Sequence, residues 1–185
     1  MTEYSSLITL LATHSAKRGQ FTLASGKQST FYIDARLTTM SPEGLSTIGP
    51  LALSALQQTE WQVDAVGGLT LGADPIAYAI SYASAHTKNP LRAFTVRKEP
   101  KTYGTGKLLE GPFRQGDRVA VIEDVITTGS SAIRAIDAVR AAGGVISGVL
   151  ALVDREEGGR QTIEKAGVPV VALVTASQII SALGS

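Results

Sequence analysis

Short apolar runs alternate along this chain with stretches of helical spacing, and glycine, proline or small polar clusters separate them. Leu7, Leu10 and Leu11 fall on one helical face and predict a helix over residues 3–16, with Lys17-Arg18-Gly19 as its stop. Phe21-Thr22-Leu23 and Phe31-Tyr32-Ile33 are β-prone runs on either side of Ser25-Gly26-Lys27-Gln28 and predict a hairpin. Ser41 followed by Pro42 reads as the N-cap and first position of a helix over 42–59. Beyond it the pattern predicts strands at 63–67, 92–97, 118–123, 145–153 and 169–173. Helices at 74–85, 131–142, 160–166 and 176–183 fall between and after them, and Gly143-Gly144 ends the second of these. Apolar strands alternating with helices imply an α/β fold: an open, mainly parallel sheet flanked by helices. Ligands of such sheets bind beyond the carboxyl ends of the strands, so the loops after Gly67, Arg97, Glu123 and Val153 share one functional edge.

Composition narrows the class. At 185 residues with 44% hydrophobic content, the chain reads as one domain, 1–185, with a small hood at about 20–36. A formal net charge of +1 gives no basis for a nucleic-acid partner. There is no cysteine, so disulfides and thiolate metal sites are excluded. The first residues lack a basic start and a long apolar core, and no run is long enough to span a bilayer. The expectation is a cytoplasmic protein with no membrane partner. His14 and His86 stand apart from other ligand-type residues and are assigned neither metal nor catalysis.

The chemistry concentrates in Val119-Ala120-Val121-Ile122-Glu123-Asp124-Val125-Ile126-Thr127-Thr128-Gly129-Ser130-Ser131. An apolar strand meets two adjacent carboxylates, and a loop of hydroxyls and glycine then opens a helix. Backbone N–H groups converge where such a loop meets a helix, and they bind a phosphate. Gly129 permits close backbone approach and the hydroxyls add donors. Glu123 and Asp124 would repel a phosphate, so they call for vicinal sugar hydroxyls, a metal or a developing positive charge. Phosphate on one side and a diol on the other describe a ribose 5-phosphate. A plain helix cap after a buried strand is the bland alternative, and the paired acids argue against it. The segment Gly104-Thr105-Gly106-Lys107 lacks the rest of a Walker loop. Gly67-Gly68-Leu69-Thr70-Leu71-Gly72 has the wrong glycine spacing for a dinucleotide fingerprint.

VAVIEDVITTGSS resembles the phosphoribosyl diphosphate motif of type I phosphoribosyltransferases. The resemblance implies that Glu123 and Asp124 face the ribose while Val125, Ile126, Thr127, Thr128, Gly129, Ser130 and Ser131 form the 5-phosphate loop. A second segment, Val96-Arg97-Lys98-Glu99-Pro100-Lys101-Thr102-Tyr103 and the glycine-rich stretch to Gly111, carries cations off the end of a strand. It suits a polyanionic substrate, although a short charge run is usually a solvated loop. It resembles the catalytic loop of orotate phosphoribosyltransferases. That implies a homodimer in which loop 97–111 reaches the neighbouring subunit's site, with Arg97, Lys98, Lys101 and Tyr103 toward the diphosphate. Tyr103 stands where many members carry histidine, and Ala24 where some carry lysine, with Lys27 as a candidate replacement.

The hairpin sequence FTLASGKQSTFYID resembles the base-covering hood of the same family; Phe31 and Tyr32 flank the base or are simply core. The Asp154-Arg155-Glu156-Glu157-Gly158-Gly159 stretch resembles the segment whose arginine binds orotate, and a guanidinium fork fits a carboxylate and carbonyls. An ion pair of Arg155 with Asp154 or Glu156 is the alternative. Thr127 is implied to touch orotate, and loop 67–75 resembles the superfamily's diphosphate-binding loop. The implied activity is displacement of diphosphate by orotate N1 at the anomeric carbon, with Mg²⁺ carried by the phosphoribosyl diphosphate. Two rivals stay open: a phosphoribosyltransferase for purine or uracil, and a non-catalytic RNA-binding regulator, for which a basic face is lacking.

Overall fold

Val119, Ala120, Val121 and Ile122 are each 0% exposed, so their strand is covered on both faces and must lie inside a sheet. The computed structural model describes residues 4–22, 28–99 and 108–183 and places it there. In chain order the elements are α1 (Ser5–Leu10), continued by a π-helical turn Leu11–Ser15, then β1 (Ala16–Thr22) and β2 (Gln28–Ile33). There follow α2 (Arg36–Thr39), α3 (Pro42–Gln57), β3 (Ala65–Leu69), α4 (Ala73–Ser84), β4 (Arg92–Val96) and β5 (Leu109–Glu110). The chain ends with β6 (Arg118–Ile126), α5 (Ser130–Ala141), β7 (Val145–Asp154), α6 (Gly159–Lys165), β8 (Val170–Thr175) and α7 (Ala176–Ala182).

Six strands form the main sheet in the order β5-β4-β3-β6-β7-β8, parallel throughout except for the antiparallel edge β5. Two cores cover its faces. One joins α1, α3, α4 and α7 through residues such as Leu7, Ile48, Ile76 and Ile179; the other joins α5 and α6 through Ile136, Val139 and Ile163. Gly148 in β7 admits the Trp61 ring, since a Cβ there would lie 2.2 Å from the indole. The antiparallel pair β1-β2 forms the separate hairpin.

The α/β class and the hairpin agree with the sequence pattern, but several boundaries move. Lys17-Arg18-Gly19 does not stop a helix. The helical path ends in its π turn, and Ala16, Lys17 and Arg18 pair with Ile33, Tyr32 and Phe31. Cross-strand pairing outweighs the local stop signal. The strand expected at 63–67 lies at Ala65–Leu69, because Asp64 is taken by Arg118. The strand expected to end at Glu123 continues to Ile126, since Val125 and Ile126 keep register with Val153 and Asp154.

Candidate active site

The strand order locates the site. From β3 the chain steps to β4 on one side and returns to β6 on the other, so connections diverge between the carboxyl ends of β3 and β6. Loops leaving in opposite directions open a crevice at such a switch point. A cleft of about 360 Å³ lies there. The end of β2 contributes Tyr32, the start of α2 contributes Arg36, the β3–α4 loop contributes Thr70 and Gly72, and the β4 end contributes Lys98. From the other side come Glu123, Asp124, Val125, Thr127 and Ser131, with Arg155 from the end of β7.

The acid pair sits inside the last turns of β6, not after it. Glu123 is 9% exposed. Burial raises its carboxyl well above the ordinary glutamate range, and the Asp124 charge and hydrogen bond add to this. The pair therefore resists carrying two full charges until a partner arrives. Asp124 Oδ1 accepts the Val125 N–H at 2.8 Å. Across the crevice Gly72 comes so close that a Cβ on it would lie 2.5 Å from Oδ2 of Asp124. One residue further back in the same loop, the Thr70-Leu71 peptide is cis.

The hydroxyl loop begins α5. Gly129 is the N-cap with φ 82°, a left-handed conformation suited to glycine. Thr128 and Ser130 hydrogen bond to each other at 3.1 Å. The loop rests against the start of α6, where a Cβ on Gly159 would meet the Thr127 carbonyl oxygen at 2.3 Å. Ile126 is 1% exposed and belongs to the core, so its side chain does not face a ligand. Its carbonyl instead accepts the Arg155 N–H at 3.0 Å.

Arg155 is 5% exposed. Its guanidinium carbon lies 4.8 Å from the centre of the Phe31 ring. Its ion-pair partner is Glu157, neither Asp154 nor Glu156. Glu157 Oε1 sits 2.9 Å from both Nε and Nη2, but only the Nε N–H is aimed at it. The buried Nη2 has no hydrogen-bond partner. The Glu157 carboxylate compensates the charge of this buried arginine. Phe31 thus supports the arginine, while Tyr32, 39% exposed, lines the cleft and leans on Phe21 with ring centres 5.6 Å apart.

Of the loop cations, Lys98 lines the cleft and its carbonyl is held by Arg134 of α5 at 2.9 Å. Arg97 turns away, with Nη1 3.8 Å from Glu110 and Nε 3.4 Å from the Glu99 carbonyl. Lys101 and Tyr103, like Ala24 and Lys27, lie outside the described residues. Sequence reasoning missed Arg36. It forms a two-point pair with Asp34 at 2.8 and 2.9 Å, and that hydrogen bond holds the Asp34 carboxyl below its usual range. An arginine two residues after an aspartate gives no pattern that marks a site. Thr70 belongs to loop 67–75; Asp74 accepts its hydroxyl at 2.6 Å and that of Thr95 at 2.9 Å.

A larger groove of about 900 Å³ opens at the opposite end of the sheet, beside Trp61, Arg92 and Arg118. Its arginines are already paired, Arg92 with Asp117 and Arg118 with Asp64, and the acid pair and hydroxyl loop are far from it. The smaller cleft is therefore the chemical one.

The whole chain is similar to known enzymes. It is 50% identical over 160 residues to the orotate phosphoribosyltransferase of Aquifex aeolicus, covering 86% of each chain. Among solved structures, the Mycobacterium tuberculosis orotate phosphoribosyltransferase in complex with Fe(III) dicitrate superposes with a TM-score of 0.85 at 37% identity, covering 96% of this chain and 99% of that one. The same enzyme in complex with 5-phospho-alpha-D-ribosyl 1-diphosphate gives a TM-score of 0.81 at 36% identity, covering 96% and 99%. No family model matches the chain.

Proposed function

The chain belongs to the orotate phosphoribosyltransferase family, and from that premise we propose how its cleft divides the two substrates. The enzyme transfers the ribose 5-phosphate group of phosphoribosyl diphosphate to orotate, giving orotidine 5′-phosphate and diphosphate in pyrimidine biosynthesis. The observation that carries the division is Arg155, its guanidinium seated on Phe31, in the same cleft as the acid pair and the hydroxyl loop.

Orotate lies against Arg155, its carboxylate and carbonyls accepting guanidinium N–H groups, with Thr127 beside it. Glu123 and Asp124 hold the ribose hydroxyls, and the N–H groups and hydroxyls of 125–131 hold the 5-phosphate. Lys98 and Lys101 neutralise the diphosphate, and Arg97 joins them by turning inward from Glu110. Tyr103 donates a hydrogen bond there. As diphosphate leaves, positive charge develops at the anomeric carbon, and the adjacent carboxylates stabilise it. Orotate N1 forms the new bond from the opposite side, and positioning supplies much of the rate. Mg²⁺ enters with the phosphoribosyl diphosphate as part of the substrate and supplies charge neutralisation on the leaving group. Glu123 and Asp124 suit an outer contact with it. Among the described residues no group of three His, Cys, Asp or Glu could hold the ion alone.

The active unit is a homodimer of single-domain chains, each lending loop 97–111 to its partner. Leu37, Met40 and Leu71 support this: they are 54, 50 and 60% exposed and form an apolar patch beside Arg36 at the cleft mouth. No helix among the described residues is long and apolar enough to cross a membrane, and a cytoplasmic location suits the cysteine-free chain.

The test is to incubate the protein with Mg²⁺, phosphoribosyl diphosphate and single bases. Orotate absorbance should fall, while adenine, hypoxanthine and uracil should not react. Turnover of a purine in preference to orotate would overturn the assignment of Arg155.

A further inference from the structure

We propose that Glu156 is a positioning residue for base recognition: anchored to Ser177 of α7, it fixes the direction from which Arg155 meets orotate. This rests on Arg155 being the base ligand. Among the described residues Glu156 is the one non-glycine residue with positive φ, at 61°. Side chains disfavour that left-handed backbone, and such strain persists where surrounding contacts hold it. Here they do. Glu156 Oε2 accepts the Ser177 N–H at 2.9 Å and the Ser177 hydroxyl at 2.5 Å, and the Glu156 N–H donates to Asp154 Oδ1 at 2.8 Å.

The anchor is firm. Within α7, Ala176 is 2% and Ile179 0% exposed, and a reciprocal cap between Thr175 and Gln178 closes its first turn. On the other side of Arg155, its own N–H is held by Ile126 at the end of β6. Both peptides flanking Arg155 are therefore tied down, one to the phosphate-loop strand and one to the Asp154 carboxylate, while the Glu156 side chain links the turn to α7. Neither Glu156 nor Ser177 lines the cleft, so an effect on orotate is indirect, and Arg155 is the adjoining residue that does line it. A glycine at 156 would adopt the turn without strain; glutamate adds only the reach to α7.

The experiment compares Glu156→Gly, Glu156→Gln, Ser177→Ala and Arg155→Ala in steady-state kinetics, with thermal midpoints measured alongside. Glu156→Gly keeps the backbone and loses the anchor, so KM for orotate should rise about tenfold while KM for phosphoribosyl diphosphate stays within about twofold. Ser177→Ala should raise KM for orotate in the same direction, and Glu156→Gln, which still accepts both bonds, should restore it to within about twofold of wild type. In the Arg155→Ala background, Glu156→Gly should add less than about twofold, because the two act as one unit. An unchanged KM for orotate in Glu156→Gly, or an equal rise in both KM values, overturns the positioning role. An unchanged KM for orotate in Arg155→Ala overturns instead the base-ligand assignment beneath it.

Discussion

Gly72→Ala probes a close approach across the cleft. Gly72 has φ −60° and ψ −44°, a right-handed conformation that alanine adopts freely, so the substitution adds no backbone strain. The new methyl, however, would lie 2.5 Å from Cγ and Oδ2 of Asp124 and 2.6 Å from Oδ1, roughly 1 Å short of ordinary contact. Something must give, and the Asp124 side chain is the softer part. It rotates away and releases the Val125 N–H. The lost glycine entropy of the unfolded chain contributes about 0.4–1 kcal/mol of stabilisation, and the repacking costs about 1–3 kcal/mol. Net destabilisation should be near 1 kcal/mol. Catalysis should suffer far more. With Asp124 placed against the ribose as proposed, a 1 Å displacement costs about 100-fold, or about 2.7 kcal/mol of transition-state stabilisation. The assay is the initial fall in orotate absorbance at saturating orotate with phosphoribosyl diphosphate varied, beside a thermal melt. A kcat/KM within about threefold of wild type would refute the placement of Asp124 against the ribose.

Other expected outcomes test separate parts of the structure. Arg118 donates its backbone N–H and two guanidinium N–H groups to Asp64, which lowers that carboxyl from 3.8 to about 2. The folded value lies below the unfolded one, so the contribution is present above about pH 4 and disappears as pH falls toward 2. Asp64→Asn should cost about 1 kcal/mol in urea unfolding at pH 7, after allowance for solvent at this half-open pair, and progressively less in acid; an equal loss at pH 2.5 would rule out the ion pair as the cause. Gly148→Ala drives a methyl into the Trp61 ring and should lower stability by about 1–3 kcal/mol with a shift in tryptophan emission, leaving KM values unchanged. Lys101→Ala should leave the melting midpoint intact and cut turnover sharply. Mixed with inactive Glu123→Gln and re-formed as hybrid dimers, it should recover about a quarter of wild-type activity, since half of the dimers carry one intact site; no recovery would show that the loop serves its own subunit.

The parts of the site that were legible in the sequence are those written locally. Val119 to Ser131 states its own structure: an apolar run for a buried strand, two acids, then glycine and hydroxyls for a helix start. Arg155 was legible as a ligand candidate, but its Phe31 support was not, because it depends on how β2 and β7 meet, and its pairing with Glu157 over Asp154 or Glu156 is set by the turn that follows β7. The end of β6 was misjudged because Glu123 and Asp124 look like a strand terminus, whereas ladder pairing to β7 carries them onward. The two-residue strand β5 has no pattern of its own and exists through pairing with Thr95 and Val96. Gly72 was legible only as part of loop 67–75. Its meaning lies in the Asp124 carboxylate opposite, which no spacing rule encodes.

The walls of the cleft run from Tyr32 through Thr70, Lys98 and Asp124 to Arg155, so one small molecule touches pieces spread over most of the polypeptide. Filling it ties the hairpin, both halves of the sheet and the end of β7 together at once, and none of those links survives in the unfolded chain. Substrate at a hundred times its dissociation constant would hold the native state by about 2.7 kcal/mol. The metabolite pool then governs how long each molecule resists heat and proteases as well as how fast it turns over.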